Sequence, residues 1–369
     1  MKLSFPDYIM SIRPYKPGKP IEELEREYGI SDSIKLASNE NPLGPSPAAI
    51  AAMKNAMENL HRYPDGQGHC LVEKLSAKFG ISPECIILGN GSDEIIGMLT
   101  RSLLQVGDEV ILTEPSFLMY EIMVLSCGAV PVFVPLKSLF TDLESMIAQI
   151  TDKTRIIFLN NPVNPTGTII TQSGFEAFLE KVPEDVVVVI DEAYIEFAKD
   201  PDCLQGVGYC TQADKNAVVV LRTFSKAYGL AGIRIGYGLM PAGLAKILHR
   251  VRQPFNANTL AQAGACAALD DDAFLEKTAT LVHGELDFLY AGIERLGMNY
   301  FPTEGNFFLI DVARDADQVF EDMLRLGVIV RSMVSYGYPT YIRVTPGLRQ
   351  ENERFLTAFE KVMGKTGIP

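Results

Sequence analysis

Between about residues 84 and 240, short apolar runs rich in Val and Ile alternate with stretches of helical spacing. The runs fall at 85–88, 109–112, 130–134, 155–159, 186–190, 217–221 and 233–239. They lack the polar–apolar alternation of a strand with one wet face, so both faces must be covered. Helical patterns lie between them at 92–105, 117–126, 172–181 and 243–251. Such alternation predicts an α/β fold: a mainly parallel seven-stranded sheet with helices on both faces. Ligands bind such sheets outside the carboxyl ends of the strands, so the residues just after each run are where chemistry is expected.

After residue 255 the pattern changes. Long helices are expected at 259–269 and 272–296, short strands at 306–311, 328–330 and 341–344, and a last helix over 350–362. This reads as a smaller α+β domain. At 369 residues the chain is too long for one simple core. The expected division is 1–40 as an N-terminal arm with part of the small domain, 41–255 as the large domain, and 256–369 as the small domain. The arm is rich in Pro and Tyr, as in Arg13-Pro14-Tyr15.

Charge excludes some partners. The net charge of −13 and the pI near 4.9 argue against nucleic acid or an anionic membrane, which need clustered basic residues. The first ten residues have no long apolar core for a secretion signal, and the run at 186–190 is too short to span a bilayer. Six scattered cysteines, none in a C-x-x-C pair, read as reduced packing residues in the cytoplasm. The four histidines show no metal-ligand spacing, so no metal is expected.

One stretch carries the most chemistry: Thr223-Phe-Ser225-Lys226, with Arg234 eight positions beyond the lysine. A lysine amine forms an imine with an aldehyde. Hydroxyls and a guanidinium hold a phosphate. Together they suit pyridoxal phosphate; the plain alternative is a solvated loop. Asp191 and Tyr194 follow the run at 186–190. A buried acid there needs a cation, which a protonated pyridine nitrogen supplies. A turn cap or a magnesium ligand is the alternative. Asn164, in a Pro/Gly turn after another run, could donate to the same ring's oxygen. Gly89-Asn-Gly91-Ser92-Asp93-Glu94 fails the dinucleotide fingerprint, since Glu94 replaces the third glycine. It still suits a phosphate through backbone N–H groups and Ser92, although Asp93 and Glu94 would repel one. Phe117 could stack on a flat ring or simply pack in a core. Arg343 and Arg331, each beside a short apolar run, need anions: a substrate carboxylate, or an internal acid.

The whole set resembles the fold-type I pyridoxal-phosphate aminotransferases, and within them the histidinol-phosphate aminotransferase group of the class II subgroup. The resemblance covers nearly the whole chain. It rests on Pro14-Tyr15, Ala37-Ser38-Asn39-Glu40-Asn41-Pro42, Arg62-Tyr63-Pro64-Asp65, Gly89 to Glu94, Asp191-Glu192-Ala193-Tyr194 and Ser225-Lys226. It implies that Lys226 carries the cofactor and shuttles protons, that Asp191 pairs with the ring nitrogen, and that Tyr194 and Asn164 contact the ring oxygen. Phe117 would stack on the ring, where the group frequently has tyrosine. Gly91, Ser92, Asp93, Thr223, Ser225 and Arg234 would surround the phosphate. Tyr63 would reach the cofactor from a partner subunit, which implies a homodimer. Arg343 would bind the substrate α-carboxylate, with Arg331, Tyr15 and Asn39 on the substrate side and Arg331 the candidate for a substrate phosphate. Val163 and Pro346 depart from the group's usual residues, outside the cofactor roles.

The implied reaction is ping-pong transamination: histidinol phosphate and 2-oxoglutarate give imidazole acetol phosphate and glutamate, a step of histidine biosynthesis. The rivals are an aromatic or broad-specificity aminotransferase, a threonine-phosphate decarboxylase and a cofactor-binding regulator. The last is disfavoured, since the pattern starts by about residue 13 and leaves no room for a DNA-binding extension.

Overall fold

The computed structural model describes residues 3–15, 18–211 and 216–364; Met1, Lys2 and the Lys16-Pro17 pair of the arm lie outside the described residues. A seven-stranded sheet forms the larger layer. Its strands are β1 (Ile86–Gly89), β2 (Glu109–Glu114), β3 (Val130–Pro135), β4 (Thr154–Asn160), β5 (Val187–Asp191), β6 (Val218–Thr223) and β7 (Gly236–Leu239). Their order is β1-β7-β6-β5-β4-β2-β3. All neighbours are parallel except β7, which runs antiparallel to both β1 and β6.

The apolar runs explain the layering. Ile156, Phe158, Val187, Val189, Val219 and Leu221 pack into one buried cluster. The residues between them, Ile157, Leu159, Val188, Ile190, Val218 and Val220, point to the other face and join separate clusters there. Period-two geometry sends neighbours to opposite faces, so a sheet covered on both sides needs uninterrupted Val and Ile. Each such side chain contributes about 1.5–3 kcal/mol on burial.

Strand β7 starts at Gly236, not at 233 as expected. Ala231–Ile233 form a 3₁₀ turn and Arg234 adopts φ +58°. The turn aims the Arg234 side chain back at β1's end instead of extending the strand.

Several helices escaped the sequence reading. Helices α1 (Pro47–Ala56) and α2 (His69–Phe79) pack against α3 (Thr259–Leu269). The first starts with Pro47 after Ser46, whose hydroxyl accepts from Ala49 N at 3.1 Å. Helix α3 was expected beyond the domain boundary at 255/256. Its Ala261, Ala265, Ala268 and Leu269 instead join the cluster that holds Ile86, Leu88 and Val220 of the large sheet.

The smaller layer is a four-stranded antiparallel sheet of β8 (Asn299–Phe301), β9 (Phe308–Asp311), β10 (Arg331–Ser332) and β11 (Tyr341–Val344), in the order β10-β11-β9-β8. The 24-residue helix Asp272–Arg295 and the helix Arg349–Val362 cover it through Val282, Leu286, Leu289, Phe355 and Phe359. The N-terminal segment joins this layer: Ile34–Lys35 pairs in parallel with Val328–Ile329. Among the described residues no helix is long and apolar enough to cross a membrane, and no group of His, Cys, Asp or Glu could hold a metal ion.

Candidate active site

The carboxyl ends of β4, β5 and β6 meet the start of the helix Ser92–Leu103, which follows β1. A cleft of about 200 Å³ opens there. A second depression, of about 340 Å³, lies over Phe140, Leu143, Ile147 and Phe178. Its Lys137, Glu144 and Lys181 are exposed. The smaller cleft is where buried titratable groups converge, so it is the candidate.

Asp191 ends β5 and is 4% exposed. Its partners are the Tyr120 hydroxyl, which donates to Oδ2 at 2.6 Å, and Ala193 N–H, which donates to Oδ1 at 3.1 Å. Burial pushes its carboxyl up to about 6, against the Tyr120 hydrogen bond. An acid desolvated in this way, with no cation among its hydrogen-bonded partners, suits a ligand that brings one. Lys226 is half-buried on the cleft wall, and its Nζ donates to Ser38 O at 3.1 Å. Burial first, and then the Arg343 charge, push its amine down to about 8. About one-tenth of it is therefore a neutral nucleophile at pH 7, far more than for an ordinary lysine.

Tyr194 is 4% exposed and burial raises its hydroxyl to about 12, so it keeps its proton. Asn164 Nδ2 donates to the Tyr194 oxygen at 3.2 Å. The turn that carries Asn164 is tied down from below: Asn160 Nδ2 and Asn161 N–H both donate to Asp191 O, and Asn164 N–H donates to Asn160 Oδ1.

At the other end of the cleft stand Ser92, Thr223, Ser225 and Arg234. Arg234 Nη1 donates to Ser225 Oγ at 3.3 Å, and Nη2 lies 3.5 Å from Asp93 Oδ2. Gly91 has φ +82°, and a Cβ there would sit 2.3 Å from Arg234 Nη2. Only glycine lets the backbone come this close to the guanidinium. The feared repulsion from two acids is halved. Glu94 turns away and accepts from Asn90 N–H at 2.6 Å and from Asn256 Nδ2 at 2.7 Å. Asp93 alone faces the cleft, its carboxyl raised by burial and steadied by Arg234.

Arg343 and Arg331 are direct partners across the β10–β11 ladder, so their side chains leave the same face. Arg343 is 6% exposed; Nη1 donates to Asn164 Oδ1, Nη2 donates to Ala37 O, and Nε has no partner. Burial lowers its pKa, and Arg331 lowers it further. Tyr15 lines the cleft and lies close enough to feel both guanidinium charges. Two cations placed opposite each other repel, and an anion between them relieves that.

Phe117 lines the cleft beside Asp191. Of the expected residues, Gly91, Arg331, Arg343, Asn39 and Tyr63, the last expected at a partner's site, are not among those that line this cleft. Tyr63 is 82% exposed and stacks on Phe255 at 4.7 Å, outside the lining of this chain's cleft. Asn39, expected on the substrate side, is 1% exposed and lies behind Tyr194, its side chain held by Tyr194 and Thr345. Tyr120 and Thr345 were not singled out as site residues. The only signal for Tyr120 was its spacing of three from Phe117, which equally describes core packing.

The model of aminotransferase class I and II matches residues 31–359. The chain is 48% identical over 359 residues to a histidinol-phosphate aminotransferase of Desulfotalea psychrophila, covering 97% of this chain and 95% of the relative. It is 46% identical over 355 residues to the enzyme of that name from Moorella thermoacetica, with 96% and 92% covered. Among solved structures, the histidinol-phosphate aminotransferase of Sinorhizobium meliloti in complex with pyridoxal-5'-phosphate superposes with a TM-score of 0.90 at 28% identity, covering 98% of this chain and 97% of that one.

Proposed function

The chain belongs to the aminotransferase class I and II family, and on that premise we propose that it is a pyridoxal-phosphate-dependent histidinol-phosphate aminotransferase. The observation that carries the reading is that one cleft is lined by both a desolvated carboxyl, Asp191, and an amine pushed down to about 8, Lys226.

The residues fit the cofactor on three counts. Asp191 is a buried acid with no side-chain cation bonded to it. The glycine cradle at Gly91, with Ser92, Ser225 and Arg234, suits a phosphate dianion. Phe117 offers a ring face beside the acid. Pyridoxal phosphate, when bound, supplies an aldehyde that captures amines and a ring that holds the electron pair left at the substrate carbon.

The protein's own residues supply the rest. Lys226 Nζ takes the proton from the substrate Cα and returns it elsewhere, a transfer worth roughly 10²–10⁴-fold. Asp191 stays ionised with Tyr120's help and keeps a ring nitrogen protonated. Tyr194 and Asn164 hold the ring oxygen, and Thr223, Ser225 and Arg234 anchor the phosphate. Arg343 fixes the anionic branch of the substrate and so sets which bond at Cα breaks.

The two arginines favour a phosphorylated substrate. Glutamate carries a carboxylate on Cα. Histidinol phosphate has none, and carries a phosphate ester on that branch. One pocket must therefore accept a carboxylate in one half-reaction and a dianion in the other. Arg343 suffices for the first, and Arg331 with Tyr15 adds charge and a donor for the second.

The exposed Tyr63–Phe255 stack supports a homodimer in which each Tyr63 reaches its partner's cofactor. Six free thiols support a reducing compartment, the cytoplasm. The test is a Lys226→Ala variant, expected to lose transamination and the visible absorbance of the cofactor-loaded protein. Survival of both would overturn the assignment. Titrating the loaded wild type with histidinol phosphate, then phenylalanine, separates the proposed substrate from an aromatic one. Carbon dioxide release would indicate a decarboxylase instead.

A further inference from the structure

The Tyr194 oxygen receives two side-chain amides, Asn39 Nδ2 at 3.0 Å and Asn164 Nδ2 at 3.2 Å. An amide can be turned either way, to offer its NH₂ or its oxygen. Here neither is free to turn. Arg343 Nη1 bonds Asn164 Oδ1, and a guanidinium can only donate, so Asn164 must present oxygen to the arginine and NH₂ to Tyr194. Thr345 Oγ accepts the backbone N–H of Asn39 at 2.9 Å. Its own hydrogen is left to donate, and Asn39 Oδ1 stands 3.1 Å away. That contact turns the Asn39 NH₂ towards Tyr194 as well.

A phenol oxygen has two lone pairs and one hydrogen. With both lone pairs taken by N–H donors, the hydrogen must leave the cluster, and the open side of Tyr194 is the cleft. The position is specified in the backbone too. Asn39 adopts φ +54°, a region that asparagine tolerates and most side chains do not, and Asn306 Nδ2 holds its carbonyl at 3.0 Å.

We infer that Asn39 and Thr345 are positioning residues that lock Tyr194 as a hydrogen-bond donor into the cleft. The inference rests on the functional reading above, in which the acceptor is the ring oxygen of pyridoxal phosphate. Arg343 and Thr345 lie two residues apart, on β11 and just past its end, so one strand of the small sheet sets both amides. The strand that grips the substrate also sets the proton of the phenol.

The test uses the cofactor-loaded enzyme and three variants. Thr345→Val removes the hydroxyl and keeps the shape, so the Asn39 amide can turn and offer its oxygen to Tyr194. The ring oxygen then loses its donor and holds a proton longer. The visible absorbance should titrate with a midpoint raised by about half a pH unit or more. The kcat should fall by about ten-fold with KM little changed. Thr345→Ser should restore both. Asn39→Asp keeps the backbone tolerance but presents an acceptor, and should move the midpoint in the same direction; it serves if the valine variant does not fold. In a Tyr194→Phe background, Thr345→Val should have no further effect. If wild type shows no visible band with pyridoxal phosphate, the cofactor reading falls. If wild type shows the band and the Thr345→Val and Asn39→Asp midpoints match it, this inference alone is overturned.

Discussion

Replacing Tyr120 with Phe removes one hydroxyl from the floor of the site. Little else should move. The Tyr120 ring stacks on Phe158 at 4.6 Å and meets Phe117 edge-on at 5.5 Å, and a phenyl ring keeps both contacts. What is lost is the side-chain donor to Asp191 Oδ2, at 2.6 Å in a fully buried setting. A hydrogen bond to a charged acceptor contributes about 1.5–3 kcal/mol. At 1.36 kcal/mol per pH unit, the carboxyl should rise by about one to two units. It starts at about 6, so it crosses from mostly ionised to largely protonated at neutral pH. A neutral acid cannot hold a pyridinium. The cofactor-free variant should then bind pyridoxal phosphate about two- to ten-fold more weakly at pH 7. The deficit should shrink at pH 8.5, where the carboxyl ionises again. Absorbance titration at both pH values measures this. Equal affinity for wild type and variant at pH 7, or a deficit that does not change with pH, would refute the reasoning.

Arg222→Leu should cost about 3–5 kcal/mol in urea unfolding, because Glu192 is 0% exposed and would be left unpaired. Adding Glu192→Leu should recover part of that loss, and a double variant worse than the single would count against it. In the cofactor-free protein, Asp191 holds its proton longer folded than unfolded, rising from 3.8 to about 6. Its stabilising share is therefore full below about pH 4 and is lost as pH rises through about 6. Relative to Asp191→Asn, wild type should lose about 1.4 kcal/mol per pH unit across that window, and parallel curves would contradict it. Arg331→Ala should lower kcat/KM for histidinol phosphate by about ten-fold or more, the worth of a charged hydrogen bond, and for phenylalanine far less. Equal losses would remove Arg331 from the phosphate role.

The uninterrupted Val and Ile runs by themselves determined the sheet, because a strand covered on both faces has no room for polar alternation. They also placed Asp191, Lys226 and Ser92 at strand ends, where chemistry gathers. They did not tell where β7 would begin: a 3₁₀ turn and a positive φ at Arg234 delay it to Gly236, which no periodicity announces. Helix 259–269 had its bounds in the sequence but not its side, because alanines pack on whichever helix tertiary structure brings to them. The directions of hydrogens were equally out of reach. Tyr120 meets Asp191 from 71 residues away, and Thr345 meets Asn39 from 306. Residue types listed what could donate and accept. Only the folded chain, by filling both lone pairs of Tyr194, decided which way its proton points.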